Sequence, residues 1–287
     1  MFIAEVCSNH NGDLYRALEL IDTAAAIGCQ AVKFQLFRLS LLFAPEVLAH
    51  PDYEFVRRRR AWELPLNWLP VLAARAREKG LLFGCTPFYL RAVEELLPFV
   101  DFFKVASYEL LWSDLLRIVA STGKPVILST GMATSDEVES AVSTLTQYGC
   151  SDLSLLYCVS AYPTPLEAVS RAVMAELRLL GVLEKTRIGW SDHSHNPAVI
   201  YALAAMSSVI EFHLDLDGQG VEYGLGHCWT PGEAEVMIKT TKQICVISRQ
   251  WKAVDVEAGE RDWRADPSDG LRPLLETRAR LSQLAGF

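Results

Sequence analysis

Two lysines lie inside segments that are otherwise apolar. Lys33 is the third residue of AVKFQ, and Lys104 is the fourth residue of DFFKVAS. Burial of an ammonium group is unfavourable unless an anion or a carboxylate neutralises it. Taken singly, each lysine is explained as well by an ion pair with Glu5 or Glu109, or by a side chain that reaches the solvent, as by a bound anion. Taken together, the two lysines predict a site for an anion.

Small hydroxyl side chains follow several of the same apolar segments. Next to a glycine or at the start of a helix, hydroxyl and backbone N–H groups can close on the oxygens of a phosphate. Any one of them alone would be an ordinary helix cap. The candidates are Thr86, Ser107, Ser129, Ser160 and Ser191. As a set, they predict a phosphate group held at one end of the strands.

Two histidines are predicted to end neighbouring strands, His193 in GWSDHS and His213 in VIEFHLDL. Two neutral imidazoles with a nearby carboxylate suit a divalent cation and leave positions open for a substrate oxygen. Glu5, on the first strand, is expected to complete or flank this site. A lone histidine is usually structural, so the metal prediction depends on the pair. The other histidines are expected in loops or at the surface: His10, His195, His227 and His50.

The elements that position these residues follow from the hydrophobic pattern. Short apolar runs rich in β-branched or aromatic residues alternate with amphipathic stretches, which is typical of βα units with a parallel sheet. Eight units in 287 residues predict an α/β fold, a single-domain (β/α)8 TIM barrel. The predicted strands are 2–7, 31–36, 81–86, 102–106, 125–129, 153–158, 187–190 and 209–213. The predicted helices are 13–27, 66–79, 89–97, 112–121, 135–148, 165–180, 197–206 and 232–251.

Local signals support these boundaries. Thr134 with Glu137 three residues later predicts a capping box, and a glycine stands where several helices should end. Those glycines are Gly28, Gly80, Gly123 and Gly149. Residues 37–65 are too many for a plain βα loop and are expected to form an extra helix over the barrel mouth.

The composition excludes several classes of protein. A hydrophobic fraction of 51% excludes a disordered chain. No apolar run approaches the ~20 residues of a membrane-spanning helix, and a net charge of −8 argues against nucleic acid. The first residues are predicted to form a strand rather than a signal peptide, and the seven cysteines are scattered singly. We therefore expect a cytoplasmic protein with reduced thiols that binds neither membranes nor nucleic acid.

The motifs, taken in order, resemble those of the sialic acid synthase family. This family includes N-acetylneuraminate, legionaminate and pseudaminate synthases and the related spore-coat polysaccharide proteins. The similar segments are IAEVCSNHNGDLYRALELIDTAAAIGCQAVKFQ, GCTPF, FFKVASYEL, GKPVILSTGMAT, YCVSAYPTP, IGWSDHS and VIEFHLDLD. The resemblance implies a transferase that condenses phosphoenolpyruvate with N-acetylmannosamine or a related amino sugar, releasing phosphate and forming a nine-carbon 2-keto acid.

The resemblance also implies roles for individual residues. Phosphoenolpyruvate would be held by Lys33, Thr86, Lys104, Ser107, Ser129, Ser160 and Ser191. Manganese or magnesium would be bound by His193 and His213, with Glu5 alongside. The sugar side would be lined, or the ligands supported, by Gln35, Glu109, Tyr162 and Asp192. Glu5, Lys33, Lys104, His193 and His213 are the expected catalytic set.

Two features depart from the family pattern. Residues 1–251 are expected to form the barrel and 252–287 a tail that packs on the barrel or on the partner subunit of a homodimer, with no C-terminal antifreeze-like domain. Gly226 stands where many members have an aspartate, so Glu222 or His227 would substitute. The sugar pocket would then be completed by residues 37–65 and 217–229, or else by a separate cap protein.

The same residues are compatible with other functions. The same groups would serve another phosphoenolpyruvate-dependent 2-keto acid synthase, or a metal-dependent aldolase with a different aldehyde. A non-catalytic barrel that binds a sugar phosphate is the third alternative, because fold alone does not decide activity.

Overall fold

Eight parallel strands close into a barrel in the computed structural model, which describes residues 1–180 and 186–249. Each strand pairs with the next one along the chain, and β1 pairs with β8. The strands are β1 Phe2–Glu5, β2 Ala31–Leu36, β3 Leu82–Pro87, β4 Phe102–Val105, β5 Val126–Ser129, β6 Leu153–Cys158, β7 Arg187–Asp192 and β8 Val209–His213. The predicted TIM barrel is confirmed.

A helix follows every strand. The α-helices are α1 Leu14–Ala26, α2 Leu39–Leu42, α3 Pro45–Ala49, α4 Glu54–Arg58, α5 Leu69–Glu78, α6 Leu90–Leu96, α7 Ser113–Ser121, α8 Ser135–Gln147, α9 Arg171–Leu180, α10 Pro197–Ala204 and α11 Pro231–Arg249. The helix predicted from residue 165 begins later, at Arg171, because a 3-10 turn and an extended stretch precede it. The predicted capping box of α8 is confirmed, with Thr134 N donating to Glu137 Oε2 over 2.8 Å.

The segment between β2 and α5 differs from the prediction of one extra helix. It forms three short α-helices, α2 to α4, with 3-10 turns directly before and after α4. Pro45 and Pro51 each begin a new turn, and a proline ring prevents the preceding helix from continuing through it. The segment is closed at its base, where Arg38 donates to the carbonyl of Leu64 over 3.0 Å.

The barrel interior has an apolar floor and a polar upper part. The floor is a separate cluster of buried side chains: Ile3, Ala31, Phe102, Ile127, Leu156 and Val209. Side chains two residues further along a strand face the same side. Those positions are occupied by Glu5, Lys33, Lys104, Ser129, Cys158 and Glu211. The strand period therefore places ionisable groups at the carboxyl end of the barrel, above an apolar floor.

A larger apolar layer between the strands and the helices surrounds this interior and includes Phe34, Phe83, Trp190 and Phe212. Met1–Cys245 form one compact unit. Within residues 1–180 and 186–249, no helix is both long enough and apolar enough to cross a membrane. The expected tail at 252–287 and the expected barrel boundary at residue 251 lie outside the described residues.

Candidate active site

Lys33 is buried on β2 between the first and third strands. Its Nζ forms an ion pair with the carboxylate of Glu5 and donates to Thr86 Oγ1 over 3.1 Å. Burial lowers the pKa of Lys33 to about 8, although the negative charge of Glu211 opposes this effect. The pairing with Glu5 is one of the alternatives that the sequence left open, and it keeps the lysine neutralised inside the barrel.

Lys104 is the second buried lysine and has a carboxylate of its own. Its Nζ donates to Ser129 Oγ over 2.7 Å and lies 3.8 Å from Glu211 Oε1. Glu211 also accepts a hydrogen bond from Ser191 Oγ over 3.1 Å. Burial acts to raise the pKa of Glu211, but Lys104 and Lys33 reverse this effect and lower it.

The role of Glu211 was not predicted from the sequence. A signal was present, because Glu211 precedes His213 by two residues in VIEFH and so faces the same side of the strand. Glu211 forms the ion pair with Lys104, for which the sequence suggested Glu5 or Glu109 as partner.

A small polar cradle lies beside Lys104, between the loops that follow β4, β5 and β6. Gly131 N donates to Ser107 Oγ over 3.0 Å. A Cβ atom at Gly131 would lie 2.4 Å from Ser160 Oγ and 2.8 Å from Ser107 Oγ, so only glycine fits there. Two predicted phosphate-binding hydroxyls thus meet at a backbone N–H group, which is the arrangement that anion sites use.

A second cluster of imidazoles and a carboxylate lies at the end of β8. His213 Nδ1 is 3.1 Å from Glu222 Oε2, and His227 Nε2 is 3.7 Å from the same oxygen. Burial lowers the pKa of His213 to about 4, so its imidazole is neutral at pH 7. Burial alone would raise the pKa of Glu222, but its hydrogen bonds with His213 and His227 hold it below its ordinary value.

These side chains belong to a larger group of potential metal ligands. His213, Glu222, His227 and Cys228 each have a ligand atom within 4.8 Å of those of the others. His193 is not in this group, although its ring centroid lies 5.3 Å from that of His213. The structure therefore places three further candidate ligands beside His213, one member of the predicted histidine pair. They are Glu222, His227 and Cys228.

His193 directly follows β7 and contacts a cysteine. Its Nδ1 lies 3.0 Å from the carbonyl oxygen of Val159 and 3.6 Å from Cys158 Sγ. Burial acts to lower the pKa of His193, but the Cys158 contact raises it overall. Conversely, burial acts to raise the pKa of Cys158 and His193 lowers it overall. This thiol–imidazole contact occupies one ring nitrogen of His193.

The loop after β8 is fixed against the loop after β1. Asn9 is buried, and its Nδ2 donates to the carbonyl of Leu214 over 3.0 Å while its Oδ1 accepts from Glu222 N over 3.0 Å. Trp229 N donates to the carbonyl of His213 over 2.8 Å, which brings the end of the loop back beside β8. None of these contacts was predicted, because the Asn9 contacts join the loops after β1 and β8, and the Trp229 contact depends on how the loop after β8 turns back.

The remaining predicted residues lie around this centre. Tyr162 covers the imidazoles, with ring centroids 4.2 Å from His193 and 5.0 Å from His227. Gln35 lies two residues after Lys33 on β2 and is half-buried. Glu109 is in the 3-10 turn after β4, where burial raises its pKa to about 7 although Lys104 opposes the rise.

Asp192 is fully buried and has protein donors on both carboxylate oxygens. Oδ1 accepts from Trp190 Nε1 over 3.0 Å and from Ser194 Oγ over 2.6 Å. Oδ2 accepts from Trp229 Nε1 over 3.0 Å. Two roles were predicted for Asp192, lining the sugar side or supporting the ligands. These contacts fit the supporting role, because they hold the loops after β7 and β8 together.

Several buried polar atoms at the barrel mouth have no hydrogen-bond partner among the described residues. They are Glu109 Oε2, Ser160 Oγ, Glu211 Oε2 and His227 Nδ1. A buried polar atom without a partner is unfavourable and needs an explanation, such as a ligand. Together with the lysines and the imidazole cluster, these atoms mark a candidate site for an anion and a metal at the carboxyl end of the barrel, where barrel enzymes have their active sites.

The chain belongs to the NeuB family, whose model matches residues 20–252. It is 33% identical to the N,N'-diacetyllegionaminic acid synthase of Campylobacter jejuni, over 76% of this chain and 68% of that protein. It is 32% identical to the spore coat polysaccharide biosynthesis protein SpsE of Bacillus subtilis, over 75% of this chain. The predicted family resemblance is confirmed.

A solved structure supports the same relationship. The N-acetylneuraminic acid synthetase of Leptospira borgpetersenii superposes with a TM-score of 0.78 at 30% identity, covering 90% of this chain and 88% of that one. The chain spans only 59% of the length of SpsE. The substrates and activities in the names of these relatives are therefore given for those proteins alone.

Proposed function

We propose that this chain condenses phosphoenolpyruvate with an N-acetylmannosamine-like aldehyde to give a nine-carbon 2-keto acid and phosphate. The observation that carries the proposal is the convergence of buried Lys33 and Lys104 with the hydroxyl cradle at one end of the barrel. The names of the relatives, a legionaminic acid synthase and a sialic acid synthetase, support an amino-sugar acceptor.

The charges of the site suit a small polyanion. Glu5 and Glu211 balance the two lysines in the free protein. A carboxylate and a phosphate that enter between the lysines would replace water with charge-assisted hydrogen bonds. Thr86 and Ser129, each on the strand that follows the lysine's own strand, already accept hydrogen bonds from the two ammonium groups. The lysines therefore do not have to be reoriented when the anion binds.

The phosphate group fits the cradle formed by Ser107, Gly131 and Ser160. The Ser160 hydroxyl is buried and has no partner in the described part of the chain, which leaves it free to donate to a phosphate oxygen. Because Gly131 has no side chain, Ser107 Oγ and Ser160 Oγ both lie close to it and can donate to the same phosphate group. Binding of the phosphate at this position would direct the three-carbon part of phosphoenolpyruvate towards Lys33 and the histidine cluster.

The donor set at the end of β8 fits a divalent cation. His213, Glu222 and His227 offer two imidazoles and a carboxylate, a set that accepts manganese more readily than magnesium. Bound there, the cation would act as a Lewis acid towards the aldehyde oxygen of the sugar. His213 of the predicted pair would thus bind the cation, and His227 and Glu222 would take the place of the missing aspartate.

The chain's own residues would orient the reactants and manage protons. In the reaction, the methylene carbon of phosphoenolpyruvate forms a bond to the aldehyde carbon, whose oxygen takes up a proton. A water oxygen then adds at the former enol carbon, and the C–O bond to phosphate breaks. Glu109, whose pKa is raised to about 7, can release or accept a proton at neutral pH.

The sugar side would be formed by Tyr162 and by the loop after β8. Tyr162 presents a ring over the imidazoles and is 41% exposed, so one face remains free for a sugar. Residues 217–229 contribute Glu222 and His227 to the site, while residues 37–65 close on themselves beside the barrel mouth. We also propose that the protein acts in the cytoplasm as a homodimer and that its sugar pocket needs no separate cap protein.

The decisive assay measures phosphate released from phosphoenolpyruvate with manganese and a panel of aldehydes. The panel contains N-acetylmannosamine, its 6-phosphate and di-acetamido hexoses, with arabinose phosphate as a sugar that has no acetamido group. We expect release only with an amino sugar, and none from Lys104→Met. Release with arabinose phosphate alone would establish a different synthase, and tight binding without release from any sugar would establish a non-catalytic barrel.

A further inference from the structure

The metal-ligand group at the end of β8 contains a sulfur atom that the proposed function does not use. Cys228 is buried, and its Sγ lies 3.9 Å from His227 Nε2. It completes a set of two nitrogens, one carboxylate oxygen and one sulfur. Neither the family resemblance nor the sequence pattern assigned a role to this cysteine.

The spacing of these donors approaches that of a tetrahedral site. Ligands at zinc distances of 2.0 to 2.3 Å lie about 3.3 to 3.8 Å from one another around a tetrahedral ion. The separations here are 3.1 Å from His213 to Glu222, 3.7 Å from Glu222 to His227, and 3.9 Å from His227 to Cys228. The ligand atoms of the remaining pairs lie within 4.8 Å of one another, so these side chains have to close further before all four donors reach one ion.

The side chain of Asn9 holds two of these donors in place without a metal. Its Oδ1 accepts from Glu222 N, and its Nδ2 lies 3.0 Å from the carbonyl oxygen of Leu214, next to His213, and 3.5 Å from Cys228 Sγ. A Cβ atom at Gly220 would lie 2.5 Å from Asn9 Oδ1, so glycine is needed for the loop to approach this closely. A preformed set of donors loses less conformational freedom on binding an ion.

We infer that His213, Glu222, His227 and Cys228 form a four-residue site that binds zinc in preference to manganese or magnesium. The inference rests on the proposed function only in placing a divalent cation at this cluster. A thiolate is a soft ligand that favours zinc, whereas manganese and magnesium prefer oxygen donors. Zinc also accepts tetrahedral coordination without an electronic penalty, and magnesium demands an octahedron.

Cys7 is the other thiol near this group, but its geometry is different. Its Sγ donates to Glu222 Oε1 over 2.6 Å, and it does not belong to the set whose ligand atoms are mutually close. It therefore supports the carboxylate from outside. This difference gives the test an internal comparison between two buried cysteines that flank one glutamate.

The test is cobalt and zinc binding to the metal-free protein. Cobalt should give the near-ultraviolet charge-transfer band of a thiolate ligand in the parent and in Cys7→Ser, but not in Cys228→Ser. Competition with a chromophoric chelator should show at least the 10- to 100-fold loss of zinc affinity that follows loss of even an outer-sphere partner. Manganese affinity should change little in Cys228→Ser, and Cys245→Ser serves as the control outside the site.

Three results would overturn the inference: no thiolate band in the parent, a band that disappears in Cys7→Ser but persists in Cys228→Ser, or unchanged zinc affinity in Cys228→Ser. Near-ultraviolet circular dichroism of each metal-free variant checks that it is folded. No substrate is present, so these results are independent of phosphate release. A protein that releases phosphate but binds no zinc would retain the proposed function and lose this inference.

Discussion

Replacement of Glu211 by glutamine should destabilise the barrel by removing the carboxylate that balances Lys104. The two groups are 3.8 Å apart and both are buried. At an effective dielectric constant of about 20, unit charges at this separation attract by about 4 kcal/mol. Removal of one partner from a buried pair typically costs about 3 to 5 kcal/mol, because the other charge remains without compensation.

Part of this cost would be relieved by the second lysine. Glu211 also opposes the fall of the Lys33 pKa, which burial lowers to about 8. Without Glu211, Lys33 would lose its proton more readily near neutral pH, and the repulsion between the lysines would decrease. We therefore expect a loss of about 3 kcal/mol, the lower end of that range.

Urea denaturation of Glu211→Gln at pH 7 measures this loss, provided that the slope of the transition is unchanged. The double variant Lys104→Met with Glu211→Gln should recover most of the stability, because no unpaired charge remains. Glu235→Gln is the matched control, since its partner Lys239 is exposed on α11. If Glu211→Gln loses no more stability than this control, the two buried groups do not depend on each other.

Three further changes test other parts of the site. Lys104→Met should weaken phosphoenolpyruvate binding roughly 10- to 100-fold by calorimetry, because a charge-assisted contact contributes about 1.5 to 3 kcal/mol; equal binding would remove Lys104 from the site. Glu109 has a pKa raised from 4.5 to about 7, so its contribution to stability is fully present below pH 4.5 and is lost as the pH rises through about 7. That loss amounts to about 3 kcal/mol, and it should be missing from Glu109→Gln in urea denaturation across this pH range. Asn9→Ala should lower metal affinity about 10- to 100-fold in chelator competition, since Asn9 orients Glu222 and contacts Cys228; unchanged affinity would show that the loop holds its shape without it.

The sequence pattern was sufficient to predict the barrel and the face on which its polar residues lie. Strands show a period of two, so the common orientation of Lys33 and Gln35 followed from their spacing. Closure of the eight-strand barrel then placed Glu5 beside both Lys33 and His213 in register. Such regularities depend on local geometry, which is why the prediction agrees with the structure.

Contacts made by loops could not be predicted in the same way. Cys228 reaches the metal-ligand group only because the loop after β8 turns back and Trp229 N bonds to the His213 carbonyl. Asp192 lies next to Trp229, 37 residues later in the chain, and this proximity depends on the same turn. Glu211 is a different case, because its spacing of two residues from His213 already indicates that it faces the barrel interior.

The most direct test of the central claim follows an isotopic oxygen label in the bridging position of phosphoenolpyruvate during turnover with N-acetylmannosamine. If the enzyme condenses the two by addition of water and cleavage of the C–O bond, the label leaves with the phosphate and a nine-carbon keto acid appears in equal amount. Label retained in pyruvate, or phosphate released at the same rate without the sugar, would show simple hydrolysis and contradict the account.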